Sequence, residues 1–358
     1  MELAAFFQQV RDPRRPQGQR FSLSALLWMT FLAIASGYTG PRKMAQFGRS
    51  NAAFFTAYFG LRHGLPSYGA FRDLLQALDK DALAQAFGRW FTPQAQAGDW
   101  VAGDGQSLRS TVQGPQQVGQ SFVSVVSLYG QRTGLALAMQ DYTDKKTGEM
   151  SVLRDLLAGW QDRGVVRTLD ALHAPKKTAD AIVTSGNEYV LQVKGNQPNL
   201  RTAIAALHAA DPTPAGATHR HEERRDGRQL CWQTSVYPAA PHWQADWAGV
   251  AGCVVVVKTV VGPRTTMQQT RYYLTSLRNR SASDFAVGIR GHWGIENKLH
   301  RTRDVHFSQD TNGIRHRVAA VNVALFNTLA LNFLLTNVDA SISYAQLFFA
   351  QNFNYFMP

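Results

Sequence analysis

Residues 99–194 constrain the fold more than any other stretch. DWVAGDGQSLR, SFVSVVSLYG and GLALAMQDYT read as three successive strands, parted by polar or glycine-containing turns. A helical segment, GEMSVLRDLLAGW, comes next, then the strand VVRTLD, the helix APKKTADAIVTSG and the strand EYVLQVKG. Three strands followed by alternating helices and strands is an α/β pattern. Asp104 and Asp170 each stand at the end of a short apolar run, on strands that read as neighbours despite their distance along the chain.

The flanking regions read differently. Residues 1–95 are helical, with Pro13, Pro16, Pro41 and Pro66 as punctuation and Ser67 as an N-cap. FSLSALLWMTFLAIASG is one helix and PRKMAQFGRSNAAFFTAYF the next, and LDKDALAQAFGRWF is the last of that region. Residues 208–278 return to strands in QLCWQTSVYP, GCVVVVKTVV and TTMQQTRYYLTSL, with HRHEERRDGR as a solvated hairpin. Beyond them SASDFAVGIRGHWGIENKLHRTRDVHF is helical at its centre, capped by Ser281 or Ser283, while Gly288, Gly291 and Gly294 weaken it. The chain thus divides into a helical region (1–95), a core in two parts (98–207 and 279–336), a β-rich insertion (208–278) and a tail (337–358).

Three acids stand in distinctive settings: Asp104 in VAGDGQSLR, Asp170 in VVRTLDALHA and Glu296 in RGHWGIENKLH. Carboxylates converging from separate elements are what two divalent cations need in order to serve phosphoryl transfer. On the third segment His292, Glu296, His300 and Arg303 share one face at helical spacing. A zinc triad of His292, Glu296 and His300 is the weaker alternative, because the His-Glu-x-x-His spacing is absent and one helix cannot by itself enclose a tetrahedral ion.

The strings RDPRRPQGQRFSLSALL, GDGQSLR, TLDALHAPKKTADAI, YVLQVKGNQPNL, RYYLTSL and RGHWGIENKLH occur in one order, and together they resemble insertion-sequence transposases of the DDE class. The type is the ISAs group that includes the H-repeat-associated proteins. The resemblance implies an RNase H-like catalytic core with a β-rich insertion and an N-terminal helical domain that helps to hold DNA. It implies that Asp104, Asp170 and Glu296 are the catalytic metal ligands for two Mg²⁺ ions, with Mn²⁺ as a substitute. It also implies double-stranded DNA as substrate, both element ends and target, and a synaptic homodimer.

Residues offered as DNA contacts are Arg14, Arg15, Lys43, Gln106, Arg109, Lys194, Asn196, Gln197, His292, Asn297, Lys298 and Arg303. The pattern departs from the family at three places: Gln106 stands where relatives have Lys, Gln229 where they tend to have an acid, and Arg301 where Trp is common. Gln can hydrogen-bond a phosphate but cannot neutralise it. Alongside an active transposase two further readings stand: a catalytically silent or domesticated DNA-binding protein, and an RNase H-fold nuclease without strand transfer.

Charge fits such a partner. The 358 residues carry 37 Lys and Arg against 25 Asp and Glu, a net charge of +12, which favours a polyanion. Only two cysteines, Cys231 and Cys253, neither in a Cys-x-x-Cys pair, argue against a disulfide framework or a Cys-zinc site and for a reducing compartment. The start MELAAFFQQVRDPRR lacks the basic n-region of a signal peptide. Residues 23–37 and 318–335 are apolar, yet the first is short and the second carries Asn322, Asn327, Thr328 and Asn332, so both read as buried core helices rather than spans. The expectation is a bacterial cytoplasmic protein associated with the nucleoid, with no membrane partner.

Overall fold

Nine strands join into one sheet in the computed structural model, which describes residues 3–113, 121–142, 148–263 and 265–357. They are β1 (Trp100–Gln113), β2 (Ser121–Gly130), β3 (Ala136–Tyr142), β4 (Val166–Leu169), β5 (Glu188–Val193), β6 (Thr218–Arg225), β7 (Arg228–Pro238), β8 (Gly252–Val261) and β9 (Thr266–Thr275). Their order across the sheet is β3-β2-β1-β4-β5-β9-β8-β7-β6. Pairs β1–β4 and β4–β5 are parallel, and the remaining neighbours are antiparallel. All four residues of β4 are buried, as a parallel strand covered on both faces requires.

The chain is a mixed α/β protein whose first five strands have the RNase H-like order. The β-rich insertion does not form a second sheet: β9 pairs with β5, Val190 opposite Thr275 and Val193 opposite Tyr272, so β6–β9 extend the core sheet. Residues 226–227 turn the β6–β7 hairpin, where Asp226 and Gly227 both take positive φ. Helices Gly148–Ala158 and Lys176–Thr184 pack on one face. On the other lie Ala282–His292, a π-helical turn Ile295–His300 and Arg301–His306.

Ser281 caps the helix that leads to Glu296, and Asp284 returns the bond in a capping box. The glycines that weaken this helix in isolation allow it to lie close to the sheet. A Cβ at Gly288 would overlap the Trp100 ring, one at Gly291 the Gln131 amide and one at Gly294 the Tyr129 ring. Segment 41–59 is two helices rather than the single one expected, Pro41–Ser50 and Ala52–Phe59. They break at Asn51, whose side-chain amide donates to the Phe47 carbonyl and offers the backbone an alternative to the helix.

Helix Arg317–Asn337 is long and apolar enough to cross a membrane, yet 89% of that stretch is buried inside the protein. It joins the N-terminal helices to the sheet. Phe326 meets Phe7, Phe333 meets Phe31, and the Asn322 amide donates to the Leu75 and Leu78 carbonyls. On the sheet side Asn332 accepts from the Ala136 N–H at 3.0 Å and donates to its carbonyl at 2.8 Å, closing part of the edge of β3. The C-terminal residues, silent in sequence, also serve this core. Phe349 packs on Phe31 and Phe333, and Phe353 on Phe47, Phe54 and Phe55.

Candidate active site

The parallel register of β1 and β4 ends with Gly103 opposite Leu169, so the next residues along both strands are Asp104 and Asp170. Neighbouring strands run about 4.8 Å apart, and equivalent side chains of a parallel pair point to the same face. Asp170 leaves its strand in extended conformation and accepts from the Ala171 N–H, capping the short turn 171–173. Lys194, from the loop after β5, approaches Asp170 to 2.8 Å. Asn196 and Gln197 from the same loop donate to the Ala171 and Ala174 carbonyls, so their amides hold the turn behind Asp170 in place.

Glu296 is exposed on the π-helical turn. Burial and then the charges of Asp104 and Asp170 push its carboxyl above the usual range, although Lys194 and Arg271 pull the other way. Glu296 therefore lies within the field of Asp104 and Asp170. That field of like charges is what a divalent cation would relieve, and oxygen donors suit Mg²⁺ or Mn²⁺. Their ligand atoms are not all drawn to chelating distance. Among the described residues, the group whose ligand atoms all lie within 4.8 Å is Asp104, Glu149 and His173.

Glu149 and His173 are site residues that sequence reasoning did not single out. His173, 2% exposed, places Nε2 3.1 Å from Glu149 and 3.8 Å from Asp104. Burial disfavours its imidazolium, but Asp104 and Glu149 more than offset this and push His173 up to about 9. Burial in turn opposes the Asp104 charge, and the adjacent His173 outweighs it to hold that carboxyl below the usual range. Gly105 leaves room for this arrangement, since a Cβ there would strike the Glu149 carboxylate. The cue in sequence was weak: His173 follows Asp170 by three residues, while Glu149 belongs to a separate helix.

The helix carrying Glu296 is pegged to the strands by residues on either side of it. His292 Nδ1 lies 2.9 Å from the Thr168 hydroxyl, and burial lowers its basicity. His300 comes within 3.7 Å of Asp104, but burial and then Arg303 push it down to about 3, so the contact joins a neutral ring to a carboxylate. Neither imidazole belongs to a metal cluster with Glu296 among the described residues.

Arg303, expected to contact DNA, is fully buried. Its guanidinium donates to Gln106 Oε1 at 2.7 Å and to the Thr328 hydroxyl at 3.1 Å, inside the protein. Gln106 is committed to the same network, donating to Asp304 and accepting from Gln309. Neither is free to meet a phosphate in this structure. The π-helical turn changes the helical repeat, and the residues beyond it turn toward β1 instead of solvent.

The other expected contacts are accessible to different degrees. Asn297 and Lys298 are exposed beside Glu296, and Arg15 and Lys43 are exposed on the helical region. Arg14 is paired with Asp12 at 2.8 Å. The Arg109 side chain is exposed, 3.7 Å from Asp310, while its backbone N–H is held by the same carboxylate. Cations lie over two indoles: Arg271 is 4.6 Å from the ring of Trp293, and Arg290 and Lys258 flank Trp232 at 4.5 and 5.3 Å.

An RNase H-like sheet with Asp104 on β1, Asp170 just beyond β4 and Glu296 on a following helix has the pattern of DDE-type proteins. The chain belongs to that transposase family: residues 100–333 match the family described as Transposase DDE domain, and residues 4–91 the one described as DDE_Tnp_1-associated. Its relatives include Putative protein YbfL and the H repeat-associated putative transposase YhhI, both of Escherichia coli strain K12. Each is 26% identical over 351 residues, 94% of this chain and 92% of the relative. The Uncharacterized protein in dhlA 3'region of Xanthobacter autotrophicus is 28% identical over 263 residues, 70% of this chain and 86% of that one. A solved structure of the piggyBac transposase synaptic complex with hairpin DNA aligns over 97% of this chain and 77% of its own, at 12% identity and a TM-score of 0.47.

Proposed function

We propose that this protein is a DNA transposase that cuts at the ends of its element and joins the resulting 3′-OH to target DNA. The observation that carries the reading is the register of β1 against β4, which sets Asp104 beside Asp170, with Glu296 inside their shared field. Asp104, Asp170 and Glu296 would hold two Mg²⁺ ions. When bound, such ions activate the attacking oxygen and stabilise the leaving one. The protein's own groups prepare the place: His173 balances and orients Asp104, and the loop 194–197 steadies the turn bearing Asp170. Lys194, half-exposed beside Asp170, is positioned to turn toward an incoming phosphate.

Duplex DNA is the partner in this reading, with the basic charge and the indole-stacked cations as its support. The helical region 1–95 contacts DNA, 98–207 and 279–336 form the catalytic core, 208–278 extend the surface, and two chains assemble at paired ends in the nucleoid. Relatives named as H repeat-associated transposases support the same reading.

The test is nicking of a duplex that carries the element's termini, with Mg²⁺ or Mn²⁺. Asp104→Ala, Asp170→Ala and Glu296→Ala should each abolish nicking while duplex binding persists. A wild-type protein that binds those ends and never nicks them refutes the enzyme and leaves the silent DNA-binding reading. Nicking without joining leaves the nuclease.

A further inference from the structure

A cavity of about 440 Å³ opens between the N-terminal helices and the segment that follows the Glu296 helix. Arg42, Lys43, Arg72, Arg315 and His316 line it together with Tyr68, and no carboxylate lies among its described lining residues. Helix Pro41–Ser50 begins at its wall with no side-chain cap, leaving first-turn N–H groups for a ligand. Four cationic side chains, of which Arg72 is shared with Asp73 at 2.7 Å, and the uncapped amides are the donor set of a phosphate site.

We infer that this cavity seats a phosphate of the duplex backbone and acts as a second anchor for the DNA that reaches the acids. The inference rests on the DNA reading above. A base or free nucleotide fits less well, because the Tyr68 ring already has the Arg42 and Arg72 guanidiniums against it at 5.4 and 5.6 Å. The cavity is tied to the catalytic strand: Asp310, two residues before the lining Asn312, accepts from the Arg109 N–H on β1. Five residues of strand separate Arg109 from Asp104, roughly 17 Å at about 3.3 Å per residue. A duplex engaged at the acids would pass the cavity within one helical turn, about 34 Å.

Binding of a 20-base-pair duplex is measured by fluorescence anisotropy in EDTA, so that cleavage plays no part. Each phosphate contact contributes a slope of about −0.9 to log K against log salt. Arg42→Ala with Arg315→Ala should reduce the slope by about 1 and weaken binding at low salt about tenfold, with an unchanged unfolding temperature. Arg315→Glu alone, at an exposed side chain, should show the same direction. Affinity and slope equal to wild type in both variants overturn the inference. A second arm adds inorganic phosphate: if it raises the melting temperature of wild type but not of the double variant, while duplex binding is the same in both, the cavity takes free phosphate and the backbone assignment fails. If the wild-type protein does not bind duplex at low salt, the DNA reading itself fails, an outcome distinct from loss of the cavity alone.

Discussion

The helix Arg317–Asn337 offers two identical substitutions with opposite expected signs. Asn332 and Asn327 are both fully buried on it, five residues apart. Asn332 satisfies the N–H and the carbonyl of Ala136 on the edge strand β3. Replacing it with leucine, which has the same side-chain branching but no polar atoms, leaves both backbone groups buried without partners, at about 1–3 kcal/mol each. Asn332→Leu should therefore cost about 2–6 kcal/mol. Neither side-chain polar atom of Asn327 has a hydrogen-bond partner among the described residues, so Asn327→Leu removes an unsatisfied amide and should be neutral or stabilising by up to about 2 kcal/mol. Urea unfolding followed by far-UV circular dichroism reads both. With a urea slope of about 3 kcal/mol/M, the first variant's midpoint falls by roughly 1 M and the second does not fall. Equal shifts in the two variants would refute the argument, since hydrogen bonding is what distinguishes the sites.

Three further outcomes are expected. Gly288→Ala should destabilise by about 1–3 kcal/mol through overlap with the Trp100 ring, measured by the same unfolding, and a variant as stable as wild type would show that the helix can lift without cost. Glu149→Gln should lower the pKa of His173 from about 9, read from its imidazole NMR titration; an unchanged value would mean that Glu149 does not support the charge. Burial, with Asp310, raises Asp304 to about 6, above its ordinary value of 3.8, so the folded state holds a proton that the unfolded state has released in between. The stability it contributes is present below about pH 4 and is lost as pH rises toward 6; Asp304→Asn should flatten that slope in urea midpoints, and an unaltered slope would exclude Asp304 as its source.

Most strands were legible as short apolar runs ended by turn chemistry, and the order of the first five matched an RNase H-like core with β1 beside β4; β6, THRHEERR, has no such run and read only as a polar hairpin. Ser67 and Ser281 were legible as caps from the same local rules. What stayed hidden depends on contacts across the chain. Period counting placed Arg303 on the face of Glu296, but it assumes an unbroken α-helix, and the π-helical turn at 295–300 sends Arg303 inward to Gln106. Glycines that read as helix weakness are the places where the helix meets Trp100, Gln131 and Tyr129. Glu149 and His173 come from elements on either side of β4, and nothing local marks them as a pair.

A sheet that runs unbroken from β3 to β6 makes the insertion a lever arm rather than a hinged lobe. A load on β6 passes strand by strand through hydrogen-bonded ladders to β5 and then to β4, which ends at Asp170. Torque from DNA held along the outer strands would reach the acids as a change of sheet twist, with no joint in between to absorb it.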